Sequence, residues 1–265
     1  MPKFCANLTL LFNEVPFMDR FRAAAQAGFT GVEYLFPYDY DKDEIANALS
    51  TNRLQQVLHN LPAGKWNEGE RGIGCHPDRV GEFQNGVAEA IEYATRLGCR
   101  QVNCLAGLVP NDVAPARLRT TLVANLKFAA LKLKEHGIRL LIEPINTRDM
   151  PGFYLTNTSQ AVDIIREVGS DNLFVQYDIY HMQIMEGDLA STMEKHLPHI
   201  AHMQLADNPG RHEPGTGEIN YPFLFGHIDR IGYDGWIGCE YKPKGSTEDG
   251  LAWIKPYLER PSPAA

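Results

Sequence analysis

The sequence predicts a single (β/α)₈ barrel, and three observations carry that prediction: short apolar runs alternate with longer amphipathic ones from end to end, the short runs number eight, and each of them carries a polar residue at or within two positions of its end. The chain of 265 residues has the usual size of one such domain. We expect the barrel over 1–259, and the Pro/Ser-rich stretch 260–265 reads as a frayed tail.

Strands are expected, in order, at 3–7, 31–34, 54–60, 101–105, 138–143, 173–178, 200–204 and 236–240. Several are nearly all apolar until their last residue, as in Ile138-Arg-Leu-Leu-Ile-Glu143, which suits a strand covered on both faces. The first helix is expected over 16–27, where Phe17, Phe21, Ala24 and Ala25 recur at helical spacing behind a proline suited to the first turn. The same grammar returns down the chain. Glycines at 28, 98, 137, 169 and 232 close helical stretches just ahead of a strand, where a left-handed residue ends a helix without a Cβ penalty. An open doubly wound sheet is the competing architecture. Eight units, and no G-x-G-x-x-G after the first strand, favour closure.

Composition narrows the function classes. The formal net charge is −8, spread along the chain, and no Lys/Arg tract could track a phosphate backbone, so nucleic acid is not an expected partner. Cys5, Cys75, Cys99, Cys104 and Cys239 form no C-x-x-C pair; with no secretory signal they read as reduced thiols of a cytoplasmic protein. No apolar run reaches the ~20 residues a spanning helix needs.

In a barrel of this kind chemistry collects where the strands open into the loops that lead to the helices. The polar residues at or close to these ends are Asn7, Glu33, His59, Asn103, Glu143, Asp178, Gln204 and Glu240. A single charged strand end is commonly the first solvated position of a loop. Four from successive strands, Glu143, Asp178, Gln204 and Glu240, can instead converge. Their three carboxylates would repel one another unless a cation neutralised them, and hard oxygen donors favour Mg²⁺ or Mn²⁺. His181, three residues past Asp178, is a candidate substrate or ligand contact. His212-Glu213 lacks the second histidine of a zincin helix, and no Gly-x-Ser-x-Gly occurs.

At Glu143-Pro-Ile-Asn-Thr-Arg-Asp-Met-Pro-Gly-Phe-Tyr, Asp178-Ile-Tyr-His181, the long Gln204 to Tyr221 segment and Trp236-Ile-Gly-Cys-Glu-Tyr-Lys-Pro, the chain resembles the hydroxypyruvate isomerase family of xylose-isomerase-like barrels. Phe4-Cys-Ala-Asn-Leu and Glu33-Tyr-Leu-Phe-Pro-Tyr are similar too, so the likeness spans nearly the whole chain. The resemblance implies interconversion of hydroxypyruvate and 2-hydroxy-3-oxopropanoate (tartronate semialdehyde), with Glu143 and Glu240 as the catalytic pair and Glu143, Asp178, Gln204 and Glu240 around a metal. It fits 2-oxo-tetronate isomerases equally well. A ketose 3-epimerase is more remote, since those relatives usually carry histidine where Gln204 stands.

The residues support that chemistry on their own. A hydroxy-carbonyl acid chelated through two oxygens loses the C–H between them to one glutamate, and the second serves the neighbouring carbon. The substrate's carboxylate needs cations, and Arg71, Arg211 and Lys242 lie in loops expected at the mouth, with Glu70 beside Arg71 and His59 at the end of strand three as further candidate contacts. The aromatic loop 35–40 is a candidate lid or homo-oligomer interface. The rival readings are metal-dependent phosphodiester cleavage, which calls for more histidines and a basic surface, and sugar-acid binding without turnover, against which both intact glutamates speak.

Overall fold

The computed structural model describes residues 1–258 and forms a closed, all-parallel barrel in strand order one to eight. The strands are β1 (Lys3–Asn7), β2 (Gly31–Glu33), β3 (Gln55–Asn60), β4 (Gln101–Cys104), β5 (Arg139–Ile142), β6 (Leu173–Asp178), β7 (Ile200–Leu205) and β8 (Trp236–Cys239). β8 closes on β1 through Lys3↔Trp236 to Ala6↔Cys239. The tail expected at 260–265 lies outside the described residues.

The helices are α1 (Phe17–Gln26), α2 (Lys42–Asn52), α3 (Val80–Leu97), α4 (Pro115–Glu135), α5 (Thr158–Val168), α6 (Ile179–Met185), α7 (Leu189–His196), α8 (Tyr221–Arg230) and α9 (Lys255–Leu258). Side-chain caps start several of them. Asp41 accepts from the backbone N–H groups of Asp43 and Glu44, and Asn157 accepts from that of Gln160, each satisfying donors the first turn leaves open. Gly98 and Gly169 end α3 and α5 at φ 65° and 67°. Arg53 does the same for α2 at φ 55°, a left-handed stop without a glycine.

The outer core lies between strands and helices. Phe21 and Ala24 of α1 are buried there, with Phe17 stacked edge-on to Tyr34 just beyond β2. α4 turns Leu118, Leu122, Leu126, Ala129 and Leu133 inward, the i, i+4 stripe of an amphipathic helix. A second, smaller cluster fills the lower barrel interior: Cys5, Val57, Leu58, Leu141 and Ala201, with Phe174 and Trp236 packed on it. Gly31 is needed beside it, because a Cβ there would come within 2.8 Å of the Trp236 ring.

Two irregularities shift which side chains face inward. β3 pairs with β2 as Val32↔Gln56 and then Glu33↔Leu58, so Val57 is an inserted residue; β7 pairs with β6 as Val175↔Ile200 and then Gln176↔His202, inserting Ala201. All five cysteines are buried and unpaired. Among the described residues no helix is long and apolar enough to cross a membrane.

Candidate active site

Inward-facing residues at the open ends of β5 to β8 bring Glu143, Asp178 and Glu240 together with His181. Ligand atoms of these four lie within 4.8 Å of one another, and all four residues are buried. The two oxygens of Asp178 have different tasks. Oδ1 accepts from the backbone N–H of Tyr180 (2.7 Å) and His181 (3.2 Å), capping α6, while Oδ2 is buried without a partner.

Glu143 Oε2 accepts from Asn103 Nδ2 at 3.0 Å. Burial, then the charges of Glu240 and Asp178, push its carboxyl well above the usual range. Glu240 is raised to about 8, chiefly by burial, although Arg211 pulls the other way. Its Oε2 accepts from Arg211 Nη2 at 2.7 Å, and Oε1 from Asn7 Nδ2 at 3.4 Å.

The tautomer of His181 follows from its neighbour. Asn146 Oδ1 already accepts from the backbone N–H groups of Arg148 and Asp149, so its Nδ2 faces His181 Nδ1 at 2.6 Å, which must accept. The proton therefore sits on Nε2, 3.8 Å from Glu143 and 3.7 Å from Asp178. Burial lowers the imidazole to about 4, so His181 is a neutral donor aimed into the site.

Gln204 sits one step lower. Its Nε2 donates to Glu33 Oε1 (2.7 Å) and its Oε1 accepts from Gln176 Nε2 (2.6 Å). Arg211, at φ 55°, closes the top: besides Glu240 it reaches Asp149 at 3.5 Å and lies 5.2 Å over the Tyr180 ring. Its Nε is buried without a partner.

The other residues expected to contact substrate are not joined to this cluster. Arg71 lies 4.4 Å over the Trp66 ring and donates to the carbonyls of Trp66 and Glu70, while the Glu70 carboxylate pairs with Arg79 and the Lys65 N–H, so both brace their own loop. Trp66 in turn packs against Phe36 with ring centroids 5.0 Å apart, which ties the aromatic 35–40 loop to the loop after β3. The Lys242 side chain is exposed; its backbone N–H and carbonyl hold Arg211 and His212.

His59 requires a correction. The residue inserted at Val57 moves β3 out of phase, so the strand end that enters the mouth is Asn60, whose Oδ1 accepts from Asn103. His59 faces the helices instead, with Nδ1 3.2 Å from Gln56 and its ring against Tyr38. It is fully buried, and desolvation drops it from an ordinary 6.5 to about 3.

Sequence reasoning overlooked Gln176, His202, Asn146 and Asp149. A signal existed for the first two: Gln176-x-Asp178 and His202-x-Gln204 are polar pairs at strand spacing, marking two inward layers on one face. Asn146 and Asp149 act through loop geometry and left no such mark.

The donor set suits a divalent cation. Three buried carboxylates, one of them with an unpartnered oxygen, could hold such an ion, which would relieve the repulsion that raises Glu143 and Glu240, while His181, with its proton on Nε2, faces them as a donor rather than a ligand.

Comparison with known proteins places the chain in a family. The family model described as a xylose isomerase-like TIM barrel matches residues 21–257. The chain is 55% identical over 257 residues to a hydroxypyruvate isomerase of Escherichia coli (strain K12), covering 97% of this chain and 100% of that one. It is 48% identical over 260 residues to a 2-oxo-tetronate isomerase of Cupriavidus necator, with 98% and 100% covered. A crystal structure from Brucella melitensis, described as an AP endonuclease of family 2, superposes with a TM-score of 0.95 at 48% identity, over 97% of this chain and 99% of that one.

Proposed function

The chain belongs to the xylose isomerase-like TIM barrel family and is an isomerase, and from that premise we propose that it interconverts hydroxypyruvate and 2-hydroxy-3-oxopropanoate at the cluster of Glu143, Asp178, His181 and Glu240. The observation that carries the reading is the convergence of three buried carboxyls, two of them raised well above the usual carboxylate range, beside the partly buried guanidinium of Arg211.

The reaction moves one hydrogen from C3 to C2 of the three-carbon acid and one hydroxyl proton the same way, from O3 to O2, so C3 is oxidised as C2 is reduced and no outside oxidant or reductant enters. A group that must take a proton from carbon and return it next door works best with a pKa near the working pH. Burial raises both Glu143 and Glu240, and the two enter the site from different strands, one just after β5 and one just after β8. His181 Nε2–H donates to a substrate oxygen, its direction fixed by Asn146. Arg211, whose Nε has no partner within the protein, takes the substrate carboxylate. Mg²⁺ or Mn²⁺ held by Glu143, Asp178, Gln204 and Glu240 would polarise the hydroxyl and carbonyl oxygens and offset the negative charge of the enediolate.

A second reading, 2-oxo-tetronate as substrate with the same chemistry, is favoured by the 48% identity to the Cupriavidus necator isomerase. The nuclease description of the Brucella structure finds less support, because an acidic mouth in a chain of net charge −8 repels a polyanion. The test is NMR of the Mn²⁺- or Mg²⁺-supplemented enzyme in deuterated water with each acid in turn, following C–H exchange and product together. Faster turnover of hydroxypyruvate supports the three-carbon reading, faster turnover of 2-oxo-tetronate replaces it with the second, and exchange of neither overturns both.

A further inference from the structure

Below the carboxylate cluster lies a second buried acid that the proposed chemistry leaves unused. Glu33 is fully buried, and four side chains meet its carboxylate: Asn7 Nδ2 (3.0 Å) and Gln204 Nε2 (2.7 Å) on Oε1, His202 Nε2 (2.7 Å) and Cys5 Sγ (3.4 Å) on Oε2. His202 Nδ1 is buried without a partner. An imidazole protonated on Nε2 therefore leaves only an acceptor unmet there, which is the cheaper omission, so all four neighbours act as donors. Space for this arrangement is built in, since a Cβ at Gly238 would overlap the Glu33 carboxylate.

An amide side chain has one oxygen and one nitrogen end of nearly the same shape, and only its partners decide which points where. At Gln204 the choice matters, because on the reading proposed above its oxygen is a metal donor and its nitrogen would repel the ion. We propose that Glu33 is a positioning residue that fixes the sense of the Gln204 amide: it takes the Nε2 end and so turns Oε1 toward the site. Gln176 supports the same sense from the other side, donating to Gln204 Oε1 at 2.6 Å and leaving that oxygen a second lone pair. His202, Cys5 and Asn7 hold Glu33 in place. Supporting carboxylates of this kind commonly change metal affinity by ~10–100-fold when removed.

The proposal rests on the metal reading, and the experiment separates the two. Mn²⁺ affinity is measured by calorimetry, with melting curves to establish folding, for wild type, Glu33→Gln, Gln204→Glu and the double variant. In Glu33→Gln the new amide nitrogen meets donors on either side, Gln204 and Asn7 or His202 and Cys5. Affinity is expected to fall about tenfold or more. In the double variant the carboxylate at 204 has no nitrogen end to misplace and receives a hydrogen bond from the amide introduced at position 33, so affinity returns to within a few-fold of wild type. Gln204→Glu alone sets two carboxylates at the contact that Glu33 now makes with an amide, and binds more weakly despite the added charge. Unchanged affinity in a folded Glu33→Gln, or equal loss in the single and double variants, overturns the positioning role. Should Glu33→Gln fail to fold, tighter binding by Gln204→Glu overturns it as well. A wild type that binds no Mn²⁺ overturns the metal reading and this proposal together.

Discussion

The barrel interior holds two regions, stacked on the same strands, that obey opposite rules. The lower one packs Cys5, Val57, Leu58, Leu141 and Ala201 against Phe174 and Trp236, and its stabilisation comes from apolar surface withdrawn from water. The upper one buries Glu143, Asp178 and Glu240 side by side, an arrangement that raises two of the three carboxyls because their charged forms are disfavoured there. A barrel of this kind can carry that tension because the floor supplies stability independently of the mouth. Damage to the mouth should therefore abolish chemistry and spare the fold, and damage to the floor should do the reverse.

The largest expected effect is at the mouth. Glu143→Gln should cut turnover about 10³-fold, while the melting temperature stays level or rises, since one of three mutually repelling buried carboxyls is gone. Steady-state rates and a melting curve on the same sample check it, and a variant that melts much earlier than wild type would erase the contrast between the two regions.

At the floor, Leu141→Ala leaves a cavity in a fully buried site, with an expected cost of about 2–5 kcal/mol. Urea unfolding gives the figure, and kcat at a temperature where the variant stays folded should match wild type. A fall in kcat as large as that of Glu143→Gln would mean the floor shapes the site directly.

The smallest effect sharpens the boundary on the outer side of β3. His59 is held near 3 in the folded chain against 6.5 when unfolded, so the unfolded chain binds the extra proton first as the pH drops. The stability that neutral His59 allows is complete above pH 6.5 and is lost on acidification toward 3. By pH 5 that loss is about 2 kcal/mol relative to pH 7. Urea midpoints of His59→Gln at the two pH values should show a decline smaller by that amount, with turnover at pH 7 unaltered. Lost turnover would return His59 to the site.

Periodicity alone located the eight strands to within a residue or two, because a parallel barrel strand is apolar on both faces and stops where the chain meets the loop. The convergence of Glu143, Asp178 and Glu240 was legible for the same reason, as each is a charged residue at the end of such a run. His59 was misread because an inserted residue reverses the phase of a strand without leaving a mark in the pattern of apolar and polar residues. Arg71 and Lys242 stand apart from the cluster for a different reason: a loop's length says nothing about which way its side chains turn, and the aromatic face of Trp66 holds Arg71. His202 and Gln176 were visible only as i, i+2 polar spacing, a cue that a search confined to strand ends passes over.

Asp178 gives one oxygen to the start of α6 and leaves the other facing the site. The helix that carries His181 is thus anchored by the same carboxylate whose other oxygen faces the cluster, and its rotamer is set before anything arrives. Little conformational freedom remains to be surrendered at that corner when a ligand binds, so more of the contact energy there is available as affinity.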